Sequence, residues 1–339
     1  MAYKRIVLAT DGSPSAETAE RSAAALAAAT KGTLTVVHAY ADPARAQVAV
    51  ERALRIAEDE GVKTEVVLSA DEPADAIIRA AEERDAEIIV TGSRGLLRGE
   101  QLIGSVVRKV ATHAPCDVLL TRARQGAERP HGVPYRRILL ATDGSATADR
   151  AARKAYALAT RLEASMTLLF VGHPKTGELV LGDTASTIGD GHPVGLLILD
   201  GDPAERIVAT ADEEGFDLVV IGNKGMTGAR TALLGSVPRD VAENASCDVL
   251  VARTIAQSLS EIRPGEGGIV TTGDHKVAVY RDEAGVVVAL SAKCTHMGCT
   301  VKWNPAERTW DCPCHGSRYA PTGEVVNGPA ERALARTDL

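Results

Sequence analysis

The sequence predicts a multidomain chain: two doubly wound α/β domains, each with a five-stranded parallel sheet, followed by a small all-β domain. Three observations carry this. "RIVLATDGSPSAETAERSAAALA" at 5–27 returns as "RILLATDGSATADRAARKAYALA" at 137–159, and further matched segments keep an offset of 130 to 132 residues, so a whole domain is duplicated in tandem. Within each copy, short β-branched runs alternate with Ala-rich stretches, which implies a parallel sheet covered on both faces. Near residue 264 the pattern changes to short strands with turns. The expected domains are 1–123, 136–254 and 265–339, joined by linkers at 124–135 and 255–264.

Taken in order, the first copy offers strands at "RIVLAT", "TLTVVHAY", "TEVVLSA", "EIIVTG" and "DVLLTR". Ser13-Pro14 reads as an N-cap with proline at the first helical position. Residues 44–60, "ARAQVAVERALRIAEDE", read as a helix. The matching stretch of the second copy, "PKTGELVLGDTASTIGDG", carries Gly177, Gly182, Gly189 and Gly191. Each interior glycine costs a helix ~1 kcal/mol, so a broken or missing helix is expected there. In the third domain "KVAVYRDEAGVVVALSA" at 276–292 is a hairpin. Cys116 and Cys247 stand in equivalent places before the last strand of each copy and read as small core residues. His38 ends a strand facing the ligand edge, a place that suits lining the pocket, and reads first as a surface residue.

Composition bounds the function. Of 339 residues 45% are hydrophobic and 24% charged, ordinary for a soluble globular protein, and only 3% are aromatic, so the cores are aliphatic. A net charge of −7 gives no electrostatic reason for nucleic acid or an anionic membrane as partner. No run approaches ~18 apolar residues, and "MAYKRIVLATDGS" enters a strand pattern without a signal-peptide core. The expectation is a cytoplasmic protein that does not engage a membrane.

Asp11 and Asp143 follow the first strands of the two copies; Gly92-x-x-Gly95 and Gly222-x-x-Gly225 follow the fourth. In doubly wound sheets ligands bind at the carboxyl ends of the strands. Glycines there let backbone N–H groups face a phosphate, and Gly104-Ser105 and Gly235-Ser236 stand where the next helix begins, an end that favours anions. An aspartate among such donors suits a ribose hydroxyl. The second copy reads G-x2-G-x9-G-S and the first G-x2-G-x8-G-S. With the "ATDGS" strand end, this resembles the universal stress protein family over roughly residues 1–254. The resemblance implies ATP at Asp143, Gly222, Gly225, Gly235 and Ser236, and a weaker site at Asp11, Gly92, Gly95, Gly104 and Ser105, where the spacing is one residue short. It also implies that the two copies pair through their last strands as an intramolecular pseudo-dimer, within a chain that can form homo-oligomers. Neither copy has the GxxxxGK[ST] pattern, so efficient ATP turnover is not implied.

Four of the six cysteines lie in "CTHMGC" (294–299) and "CPCHGS" (312–317), with two of the eight histidines. Each box supplies a thiol and an imidazole, and by spacing alone the set also suits tetrahedral zinc. The boxes resemble the two cluster-binding boxes of Rieske proteins, over about 264–339. That resemblance implies a [2Fe–2S] cluster with Cys294 and Cys312 on one iron and His296 and His315 on the other. It implies a disulfide between Cys299 and Cys314, and hydroxyls of Ser317 and Tyr319 that donate to cluster sulfurs and raise the potential. "NGPA" at 327–330 resembles the loop that covers the cluster. No 2-His-1-carboxylate motif accompanies the boxes, and no constellation for bond-making chemistry stands out. The expected function is a nucleotide-binding stress protein with a one-electron centre for redox sensing or electron transfer to an unknown partner protein. The rival is a ferredoxin-like donor to a separate oxygenase or reductase, with the stress module as scaffold.

Overall fold

The computed structural model describes residues 3–40, 42–93, 104–122, 134–189, 191–223, 235–253, 259, 262–272, 275–304, 307–312 and 314–339. It divides into two units, Met1–Thr254 and Ile255–Leu339. Among the described residues no helix is long and apolar enough to cross a membrane.

In the first unit, copy one runs β1 (Arg5–Ala9), α1 (Glu17–Thr30), β2 (Thr33–Ala39), α2 (Pro43–Asp59), β3 (Lys63–Ser69), α3 (Pro73–Glu83), β4 (Ile88–Gly92), α4 (Ser105–His113) and β5 (Asp117–Thr121). Copy two repeats it as β6 (Arg137–Ala141), α5 (Ala146–Leu162), β7 (Ser165–Val171), α6 (Pro174–Ile188), β8 (Val194–Leu199), α7 (Pro203–Glu213), β9 (Leu218–Gly222), α8 (Ser236–Asn244) and β10 (Asp248–Ala252). Residues along β1 alternate between two buried layers: Ile6 and Leu8 enter one, Val7 and Ala9 the other. Both faces are therefore apolar, as a sheet covered by helices on each side requires. Cys116 and Cys247 are fully buried in the second layer. Ser13 opens a short 3-10 turn, Pro14–Ala16, ahead of α1, and its hydroxyl meets Ser15 Oγ at 2.8 Å rather than capping the helix. Its counterpart Ser145 does cap, accepting from Ala148 N at 3.2 Å.

The strands form one ten-stranded sheet in the order β3-β2-β1-β4-β5-β10-β9-β6-β7-β8. Pairing is parallel within each copy and antiparallel where β5 meets β10, with Leu119 opposite Leu250. Two buried aspartates hold this seam. Asp117 accepts from Tyr3 Oη at 2.8 Å, Lys154 Nζ at 2.8 Å and Arg253 N at 2.7 Å. Asp248 accepts from Tyr135 Oη at 2.8 Å and Arg122 N at 2.9 Å. The arginine side chains cross to the far copy: Arg253 donates to the carbonyls of Thr112, in the last turn of α4, and of Ala114 just after it, and Arg122 to that of Ala242 in α8. Burial pulls the Arg253 guanidinium below its ordinary pKa.

Three expectations need correction. The glycine-rich stretch of copy two is a continuous helix, α6. Gly177 lies where a Cβ would come within 2.8 Å of the Phe170 ring and 2.9 Å of Ile198, so its small size lets the helix approach the sheet. Gly189 (φ +103°) is the C-cap, and Gly191 lies beyond the end. Only Gly177 and Gly182 are interior; their cost of roughly 2 kcal/mol is offset by burial of Leu181 and Ile188, each worth roughly 1.5–3 kcal/mol. His38 is buried rather than on the surface, its Nδ1 donating to Thr10 O at 2.9 Å. Tyr135 and Ile262, placed in linkers by the sequence, are core residues, 1% and 2% exposed.

The second unit contains two antiparallel sheets. One is β11 (Gly267–Thr272), β12 (His275–Arg281) and β13 (Val287–Ser291); the other is β14 (Lys302–Asn304), β15 (Thr309–Asp311), β16 (Arg318–Tyr319) and β17 (Val325–Asn327). Its main core gathers around the fully buried Trp310 and Tyr319, with Trp303 stacked edge-on to Trp310 at 4.9 Å.

Candidate functional site

Two loops of the second unit are built alike. Residues 294–299 leave β13 and precede β14; residues 312–317 link β15 to β16. In each, the first cysteine's N–H donates to the carbonyl of the sixth residue: Cys294 to Cys299 at 2.8 Å, Cys312 to Ser317 at 2.7 Å. The fifth residue, a glycine, donates back to the first carbonyl: Gly298 to Cys294 at 2.8 Å, Gly316 to Cys312 at 3.1 Å. Closing so tight a ring needs a left-handed residue at that fifth place, and Gly298 and Gly316 have φ of +75° and +77°.

This geometry sorts the donors. Cys294 and Cys312 are 2% and 3% exposed, whereas His296 and His315 lie at the surface with ring centroids 4.9 Å apart. Cys299 and Cys314 form a disulfide that ties the loops together, Cα to Cα 6.6 Å. The sulfurs of Cys299, Cys312 and Cys314 lie within 4.8 Å of one another. Burial works against a thiolate at Cys294, but hydrogen bonds from the Tyr319 hydroxyl, the His296 backbone and the side chains of Cys312 and Ser317 outweigh it and hold its pKa below the ordinary value. Burial, reinforced by the Cys294 side chain, pushes Cys312 up. The Tyr319 hydroxyl lies 3.1 Å from Cys294 Sγ. Ser317 is fully buried, and its Oγ accepts from Ala330 N at 3.2 Å. The 327–330 segment closes over the second loop: a Cβ on Gly328 would lie 2.5 Å from Ser317 Cα.

The donor set tests well against a cluster of two irons. Two soft sulfurs lie buried beneath the surface, and two imidazoles stand together at it. Residues Cys294, Cys312, His296 and His315 are the ones that would hold it.

The first unit has two further candidate sites, set by topology. In both copies the strand order reverses between the first and fourth strands: β1 beside β4, β6 beside β9. Such a switch point opens a crevice at the carboxyl ends. Ala9 pairs with Thr91 and Ala141 with Ile221, so Asp11 and Asp143, just past β1 and β6, stand beside Gly92 and Gly222, the last residues of β4 and β9. Gly104 and Gly235 are N-caps of α4 and α8, with Ser105 and Ser236 the first helical residues. Gly235 N donates to Asn223 O at 2.9 Å, which brings the α8 N-terminus to the end of β9. Gly95 and Gly225 lie outside the described residues. Asp11 and Asp143 each accept from the N–H two residues on, Ser13 and Ser145, at 3.0 Å, so one carboxylate oxygen in each shapes its own loop.

The Universal stress protein family model matches residues 2–55, 41–122, 134–186 and 177–253. The chain belongs to the universal stress protein family. The Rieske [2Fe-2S] domain model matches residues 253–338, so this stress-family chain ends in a Rieske domain. The cytochrome b6-f complex iron-sulfur subunit of Synechococcus elongatus is 40% identical over 108 residues, 30% of this chain and 54% of that subunit. Subunit 1 of the same description from Nostoc sp. is 51% identical over 59 residues, 17% of this chain and 33% of its own. The chain thus spans about half the length of these curated relatives or less. A universal stress protein from Archaeoglobus fulgidus DSM 4304 has the fold of the first unit: TM-score 0.59 at 23% identity, covering 73% of this chain and 98% of that one.

Sequence reasoning missed several residues. Thr10 and Thr142 accept from Gly12 N and Gly144 N and so help set the Asp loops. Asp117 and Asp248 stand first in the apolar runs "DVLL" and "DVLV", a signal that a buried carboxylate awaited partners. Thr295 has no signal beyond its place between a cysteine and a histidine.

Proposed function

We propose that this stress-family protein binds an adenine nucleotide, preferentially ATP in its second copy, and uses its Rieske domain as a one-electron centre for redox sensing or electron transfer. Cys294 and Cys312 would hold one iron of a [2Fe–2S] cluster, and His296 and His315 the other. The cluster, when bound, supplies a single-electron donor and acceptor. The chain's own residues do the rest. The Cys299–Cys314 bridge keeps the loops in register, the hydroxyls of Ser317 and Tyr319 donate toward sulfur, and the outward imidazoles offer the route to a partner.

The observation that carries the reading is the pair of like-folded loops that put two thiols inside and two imidazoles outside. Purified protein should be red-brown, contain iron and acid-labile sulfide in equal amounts, and give an EPR signal of low average g when reduced. His296→Ala or His315→Ala should abolish that signal while the far-UV spectrum persists. Stoichiometric zinc without labile sulfide would overturn it.

The nucleotide half is supported by the switch-point crevices and by the nine-residue spacing that only the second copy keeps. In calorimetry with ATP, Gly222→Val should abolish most binding and Gly92→Val little; the reverse result would overturn the ranking. Exposure of His296, His315 and Met297 (67%) on the two loops also favours a second reading, a ferredoxin-like donor to a separate oxygenase or reductase with the stress module as scaffold. Specific co-purification of such an enzyme would favour it, and ATP-dependent changes at the cluster would favour the first.

A further inference from the structure

Tyr319 reaches two acceptors with one proton. Its hydroxyl oxygen lies 3.1 Å from Cys294 Sγ and 3.1 Å from Thr295 Oγ1, and it receives the Thr295 backbone N–H, also at 3.1 Å. The Thr295 hydroxyl has a single proton of its own, and the geometry fixes where it goes: Oγ1 lies 2.6 Å from Arg332 O, a carbonyl that can only accept. Thr295 Oγ1 therefore has no proton to give to Tyr319 and meets it only as an acceptor. The phenolic proton is divided between a sulfur and an oxygen at equal distance. The hydroxyl oxygen is the better acceptor against a neutral thiol, and the sulfur gains as it takes on negative charge.

We propose that Thr295 is a positioning residue that holds down the potential of the Rieske centre by competing with Cys294 for the Tyr319 proton, while its anchor on Arg332 keeps it from donating. The proposal rests on the cluster reading above. It is distinct from the effect of Tyr319 itself, because it predicts the opposite sign. Deleting the phenol removes a donor to sulfur and lowers the potential. Deleting the competing oxygen leaves the donor in place, still polarised by the Thr295 N–H, with the sulfur as its remaining partner. A hydrogen bond to sulfur favours the more negative, reduced state.

The test is a redox titration of the full chain followed by EPR, at one pH. Thr295→Val, which keeps shape and backbone N–H, should raise the midpoint by a factor of about two or more in the reduction equilibrium, ~18 mV or more at 59 mV per tenfold. Thr295→Ser should stay at the wild-type value. Thr295→Ala, which removes the same oxygen without filling its volume, should move in the same direction as valine and guards against misfolding of the first variant. In a Tyr319→Phe background the valine change should have no effect, since no proton is left to redistribute. A midpoint that is unchanged or lower in both the valine and alanine variants overturns the proposal, as does a shift that survives in the phenylalanine background, which a merely structural role for Thr295 would produce. Absence of any cluster signal in the wild type instead overturns the underlying reading of the site.

Discussion

At the scale of single residues, the Rieske loops are specified by contacts that leave little room. Gly328 has φ +98°, and an added Cβ would meet Ser317 Cα at 2.5 Å and Gly316 O at 2.8 Å. Both are backbone atoms that cannot rotate away. Gly328→Ala should push the 327–330 segment off the second loop and expose Ser317. Faster loss of visible absorbance from the loaded protein at moderate temperature is the expected result. Ser317→Ala and Tyr319→Phe should each lower the midpoint potential, since each removes a donor facing Cys294; unchanged midpoints would mean those hydroxyls serve elsewhere. Much of this site was legible in the sequence, because the proposed ligands, the Cys299–Cys314 brace and Ser317 fall within the two short boxes and Tyr319 lies two residues beyond the second. Thr295 was not. Its role depends on Arg332, 37 residues away, and on counting protons between atoms that only coordinates bring together.

At the scale of elements, strands and helices followed from local patterning, and the errors came where tertiary packing overrode it. Glycine propensity argued against α6, yet Gly177 is there because Phe170 and Ile198 need its missing side chain. The seam between β5 and β10 was legible through the family resemblance, which implies pairing of the last strands; its buried charges were not. Asp117 is fully buried, and Lys154 is the cationic side chain that neutralises it. Removing one partner of a buried pair typically costs ~3–5 kcal/mol because the other charge is left uncompensated. Lys154→Met should therefore lower the urea midpoint of the far-UV helical signal, which reports the first unit because α1 to α8 all lie there. An unchanged midpoint would mean Tyr3 and the Arg253 N–H suffice. The neighbouring Cys116 thiol is pushed well up by burial and then by the Asp117 charge. A thiol reagent at neutral pH should leave it unmodified in the folded chain and label it on unfolding.

At the scale of the whole molecule, duplication and fusion were plain in the sequence, since a repeat of more than a hundred residues and a dense cysteine–histidine tail are not produced by local chance. Whether a chain with both modules behaves as one device is a thermodynamic matter. If ATP binding and cluster reduction communicate, linkage makes the effect reciprocal: the factor by which reduction changes ATP affinity equals the factor by which ATP changes the reduction equilibrium. Typical couplings of ~1–3 kcal/mol then correspond to shifts of ~40–130 mV for one electron. Under the sensing reading, the midpoint with saturating ATP should differ from that without it by an amount in this range. Calorimetry on oxidised and reduced protein should return the matching ratio of affinities. Gly222→Val supplies the control: it should remove the ATP-dependent shift while leaving the ATP-free midpoint where it was, since Gly222 ends β9 in the first unit and the cluster ligands belong to the second. A shift under ~10 mV, which is below ~0.3 kcal/mol on the same conversion, would mean two independent modules in one chain. The electron-carrier reading would then stand, with the stress domains as scaffold.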